Sequence, residues 1–118
     1  MASGIYNRFK ANLMNKEVDL EADTIKVALY DNSHSFTAAD TDYTTSNELA
    51  SGSGYTTGGN TLASKAVTEA ATTKWVAADR NWTAATFTAY HAVIYDTSVS
   101  NDLIASIDFG GAKAVVAG

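Results

Sequence analysis

Between Thr86 and Asp96 the chain reads TFTAYHAVIYD, and between Leu103 and Phe109 it reads LIASIDF. Both runs alternate apolar and polar positions with the period of two that a half-buried strand requires. In the first run Phe87, Ala89, His91, Val93 and Tyr95 share one face, and Thr88, Tyr90, Ala92 and Ile94 share the other. The same period appears in DTIKVALYD, where Ile25, Val27 and Leu29 alternate with Lys26, Ala28 and Tyr30. Shorter strands are predicted at LASKAVT, residues 62–68, and at KWVAA, residues 74–78. Ahead of them the period changes. Ile5, Phe9 and Leu13 recur every four residues, with Tyr6 and Met14 beside them and Ser3 placed to cap the start. That spacing predicts an amphipathic helix of about 15 residues within residues 1–18. Its apolar stripe must bury against the chain's own sheet or a partner subunit.

Five or more short strands with polar turns predict an all-β fold, a small β-sandwich or partly open barrel, with the helix at its N-terminus. The 118 residues form one domain, with the β part over residues 23–118. One stretch resists the pattern. Residues 31–61 are rich in Ser, Thr, Asn, Asp and Gly and predict a long loop, with one helical turn possible at SNELA. Loops of that length in compact domains are usually functional or mobile. Phe36, Tyr43 and Tyr55 within it argue for order, gained against a partner. With Ile5, Phe9 and Leu13 they are the candidate partner-interface residues.

Composition narrows the chemistry. The chain is 46% hydrophobic and 18% charged, too apolar for wholesale disorder. Its net charge of −5 argues against nucleic acid as a partner. Residues 1–17 carry a net +2 and the remainder a net −7, so the basic N-terminal segment suits the acidic body or an acidic partner. No segment approaches the ~20 apolar residues of a membrane span, and the opening residues lack the apolar core of a secretory signal. No membrane partner is expected, and synthesis is expected in a cytoplasm.

The candidate reactive groups read as structural. GSGYTTGG, residues 52–59, has the glycines of a phosphate loop, but a strand follows it and no lysine sits at the required offset. Turn glycines with a packed Tyr55 account for it. Asp31, Asp40, Asp42 and Glu48 lack the glycine and spacing of a calcium loop. His34 and His91 are too few and too isolated for a metal site, and His91 reads as a buried, hydrogen-bonded side chain. Nothing resembles a strained nucleophile turn. No catalytic residue, metal or cofactor is expected. Trp75, Trp82, Tyr90 and Tyr95 suit either core packing or stacking on sugars.

The order of segments resembles a family of small virion proteins of tailed bacteriophages. Four blocks carry the resemblance: DTIKVAL at residues 23–29, GSGYTTGG running into NTLASKAVT, VAADRNWTAATFTAYHAVIYDTS at residues 76–98, and LIASIDFGG at residues 103–111. In the family pattern a further hairpin strand follows the last block, where this chain reads GGAKAVVAG. The resemblance implies a non-enzymatic structural protein of the virion. Within that class it points to a capsid decoration (cement) protein, made in the bacterial host cytoplasm and placed on the capsid surface. Its implied partners are the major capsid protein and itself, as a homotrimer. A small tail or neck component, or a virion carbohydrate-binding module, is the alternative.

Overall fold

The computed structural model describes residues 3–78, 82 and 85–115. The first two positions of the expected helix, part of the block before Phe87 and the last three residues lie outside the described residues. In chain order the elements are β1 (Gly4–Ile5), α1 (Asn7–Met14), β2 (Ile25–Tyr30), β3 (Asn60–Thr61), β4 (Ala66–Thr68), β5 (Lys74–Val76), β6 (Phe87–Asp96) and β7 (Asp102–Val115). Five strands form one sheet in the order β1-β7-β6-β2-β3, and β4 pairs with β5 alone. All pairings are antiparallel. Neither sheet closes, so the fold is all-β with an N-terminal helix, as the alternation predicts. Among the described residues no helix is long and apolar enough to cross a membrane.

The two strongest alternating runs make the centre. β6 pairs with β2 from Ile25–Asp96 through Tyr30–His91, and with β7 on its other edge. Two irregularities interrupt the β6–β7 ladder. Near Tyr95 one extra residue, Ile104, enters β7. Further along, Tyr90 alone stands opposite residues 109–112. There Gly110 and Gly111 take φ of 80° and 153°, open to glycine but rarely to other residues. The glycine pair therefore bends β7 without ending it, and the AKAV segment returns to pairing with Phe87–Ala89.

Both faces of this sheet are covered. On one, Ala28, Tyr30, Val93 and Tyr95 pack with Tyr6 and Leu103 beneath Phe36 and Tyr43. On the other, Leu29, Ala89 and Ala92 pack with Tyr55, and Leu49, Trp82 and Phe87 close around them. A third cluster joins Phe9 of α1 to Ile25 and Ile104. The covering residues come largely from the 31–61 stretch, which is why a nearly single-layer sheet sustains a core.

The helix is shorter than its periodicity predicts. Gly4 and Ile5 pair as β1 with Ser106 and Ala105, so the Ile5 backbone is committed to a strand before α1 begins. Tyr6 is the N-cap residue and makes no side-chain cap. The Ser3 hydroxyl instead accepts the Asp108 backbone N–H at 2.8 Å. The expected stripe of Ile5, Phe9 and Leu13 is thereby broken. Phe9 is buried, while Ile5 is 50% and Leu13 49% exposed.

Candidate partner-binding site

The 31–61 stretch is tied down at both ends of the sheet. Residues 41–43 run beside the start of β7, with Leu103 N–H donating to Thr41 O and Tyr43 N–H to Asn101 O, each at 2.9 Å. Residues 47–49 run beside the end of β2, with Asp31 N–H bonded to Asn47 O at 2.9 Å and Leu49 N–H to Leu29 O at 3.0 Å. Next comes a tight turn. Gly52 and Tyr55 exchange both backbone hydrogen bonds, and Ser53 and Gly54 between them have positive φ, as a two-residue hairpin turn favours. At Gly59 the chain crosses β2 so closely that a Cβ would lie 1.9 Å from Val27 O. The GSGYTTGG motif is thus turn and close-approach chemistry, as its glycines predict.

One carboxylate organises the stretch. Glu48 Oε2 accepts the Tyr55 hydroxyl at 2.5 Å and the Gly58 N–H at 2.7 Å, and Oε1 accepts the Tyr43 hydroxyl. The Tyr55 oxygen in turn accepts Leu29 N–H of β2 at 3.0 Å. Tyr43 stacks on Tyr95 with centroids 4.1 Å apart, and Tyr95 donates to Gly58 O at 2.6 Å. Burial, followed by the bond to Glu48, holds the phenols of Tyr43 and Tyr55 well above the ordinary tyrosine value. Neutral phenols donating to a carboxylate are charge-assisted and strong.

These contacts sort the predicted interface residues. Tyr55 and Phe9 are core, not interface, because their rings are spent on the chain's own sheet. Tyr43 and Phe36 are half-buried. Phe36 lies 4.9 Å from the Tyr6 ring and covers Gly4, where a Cβ would meet it at 2.6 Å. Ile5 and Leu13 stay at the surface, joined by Met14 at 85% exposure and Ile107 at 42%. Ile5 stands opposite Ala105, so Ile5 and Ile107 project from the same face of the β1–β7 edge. Sequence pattern missed Ile107, which sits among the core-forming positions of LIASIDF. Its exposure follows from lying on the last strand before the two-residue edge β1.

The β6–β7 turn carries two carboxyl pairs. Asp96 ends β6, is fully buried, and meets Asp23. Burial first, then that neighbour, raises its pKa to about 7. Asp102 begins β7 and meets Asp42, whose pKa is raised by their shared hydrogen bond. Asp102 Oδ2 also accepts Asn12 Nδ2 at 2.9 Å and lies 3.5 Å from the Arg8 guanidinium. The basic N-terminal segment therefore docks in part on the acidic body. Among the described residues no three of His, Asp and Glu are grouped so as to hold a metal ion.

The aromatic residues suited to sugar stacking disperse. Trp75 donates its indole N–H to Leu20 O at 2.9 Å, and Trp82 packs against Tyr55 and Phe87. The histidines do the reverse. Remote in sequence, they meet with ring centroids 5.1 Å apart, and His91 Nδ1 is buried without a hydrogen-bond partner. The expectation of a hydrogen-bonded His91 fails at that nitrogen, and no local sequence signal marks the pair. No protein-family model, curated protein or solved structure matches this chain.

Proposed function

We propose that this chain is a non-enzymatic structural protein of a tailed-bacteriophage virion, placed on the capsid surface as a decoration protein. It binds across junctions between major capsid subunits, with homotrimers as its form on the particle. A protein that binds the assembled shell and not its separated subunits stabilises the shell by mass action. Repeated at many junctions, modest affinity per site suffices.

The observation that carries the proposal is the N-terminal edge. Ile5 and Ile107 of that edge remain exposed, as separately do Leu13 and Met14 of α1, although the chain's own clusters are complete without them. Exposed apolar side chains on a short sheet edge suit adhesion to another protein surface. The blocks that resemble phage virion proteins supply β2, the Gly59 crossing, β6 and β7, which is the frame holding that edge. The test is co-sedimentation of purified protein with shells from the phage that encodes it. Saturable binding to assembled shells, absent for unassembled subunits, supports the proposal. Binding to tails alone, or to polysaccharide alone, replaces it with a tail component or a glycan-binding module.

A further inference from the structure

The chain has two histidines, and the fold brings them into contact. His34 lies on the turn that follows β2. Its Nε2 is 3.1 Å from the Ser106 hydroxyl of β7, and its ring lies 4.7 Å from that of Tyr30. Ser106 is buried and shares a hydrogen bond with the Tyr6 hydroxyl. His91 sits in the middle of β6, 2% exposed, paired in register with Tyr30 on one side and Asp108 on the other. Asp108 Oδ1 stands 4.0 Å from His91 Nδ1. Asp31 and Asp40 act on His34 from the surrounding loops. His34 also lines a cleft of about 450 Å³ with Tyr6, Tyr30, Asp40 and Asp42.

We infer that His34 and His91 form an acid-sensitive clasp that holds the 31–36 turn on the sheet when both are neutral and releases it when both are charged.

Neutral imidazoles pack edge to face at no electrostatic cost. Two charged rings at this separation, one of them fully buried, repel each other. The arrangement also decides which side yields. A charge on His91 faces Asp108, and β6 is held by strands on both edges. A charge on His34 faces His91, with Asp31 and Asp40 favouring it less strongly. The turn that carries it is held by Asp31 N–H to Asn47 O at 2.9 Å, Ser33 N–H to Asp31 Oδ1 at 2.8 Å, His34 N–H to Asp31 O at 3.2 Å and Asn47 Nδ2 to Ser33 O at 3.3 Å, all within or between loops. It is the weaker element and moves first.

Burial, then His91, holds His34 below its ordinary value of 6.5. A histidine depressed in the folded state contributes stability in full above that ordinary value and loses it as pH falls through the folded-state value. Release therefore belongs to acid. It stands independently of the virion role.

Amide hydrogen exchange on the full chain at about pH 7.5 and pH 5, corrected for intrinsic rates, tests the clasp. Amides of residues 32–36 are expected to lose protection at acid pH, while the centre of β6 keeps its own. His34→Gln and His91→Gln, which cannot charge, abolish the loss. Equal protection at both pH values, loss spread equally over β6, or loss persisting in His34→Gln overturns the inference. Should either variant fail to fold, ring-proton titration of the native chain decides. Two mutually dependent steps support the clasp, and two independent curves at the ordinary value refute it.

Discussion

Replacing Glu48 perturbs the contact that orders residues 31–61. Glu48→Ala removes the common acceptor of Tyr43, Tyr55 and Gly58. A hydrogen bond to a charged group contributes about 1.5–3 kcal/mol. Tyr55 is buried and takes the full loss, whereas water partly replaces the other two bonds at half-buried Tyr43 and Gly58. The summed cost is then about 3–5 kcal/mol, a large share of a total stability near 5–15 kcal/mol. For a chain of this size that lowers Tm by about 10–20 °C. Glu48→Gln keeps one acceptor oxygen, and the rotatable phenol hydroxyls adapt to its amide, so about 1–2 kcal/mol is expected. Urea unfolding followed by circular dichroism measures both variants. A Tyr55→Phe background should absorb part of the Glu48→Ala cost, because the two share a bond. If Glu48→Ala stays within about 0.5 kcal/mol of the native chain, the variation of an ordinary surface change, the network does not anchor the stretch.

Gly59→Ala forces a methyl into Val27 O and an unfavourable φ of 81°, so it should unfold the chain or lower Tm severely, while Gly52→Ala, strained by its φ of 133° but with open space around it, should cost less. Asp96 has a folded-state pKa of about 7, above its ordinary 3.8, so its favourable contribution is complete at acid pH and lost as pH rises through 7. Asp96→Asn keeps the acceptor for Ser98 N–H and should gain stability relative to the native chain as pH rises from 3.8 to about 7, with a constant advantage above that, read from Tm against pH. Ile5→Lys with Ile107→Lys should leave Tm nearly unchanged and abolish binding to shells in sedimentation; intact binding would move the contact elsewhere.

The strands were legible because a half-buried strand writes its period directly into the sequence. That is why β2, β6 and most of β7 fall where alternation places them, although the irregularity at Tyr90 puts Phe87 and Ala89 with Ala92, on the face opposite Val93 and Tyr95. The helix start was not legible, since Ile5 satisfies the four-residue spacing equally well as a strand residue against Ala105. The glycine pair of β7 reads as a terminator locally, and only pairing of the following residues with Phe87–Ala89 carries the strand through it. The 31–61 stretch was recognisable as a loop. Its attachment was not, because Glu48 meets Tyr43, Tyr55 and Gly58 only after the chain has doubled back over the sheet. The same holds for the histidine pair and the two aspartate pairs, which join residues of different strands and turns. Of the six candidate interface residues, Ile5 and Leu13 are exposed enough to meet a partner directly, while Phe9 and Tyr55 serve the core.

We propose attachment to the outside of a capsid through the Ile5–Ile107 edge. Electron cryo-microscopy of particles from the encoding phage tests it most directly. Density for this fold is expected at junctions between major capsid subunits, in threefold groups, with the β1–β7 edge facing the shell. Density confined to the tail or neck, or an edge pointing away from the shell, would contradict it.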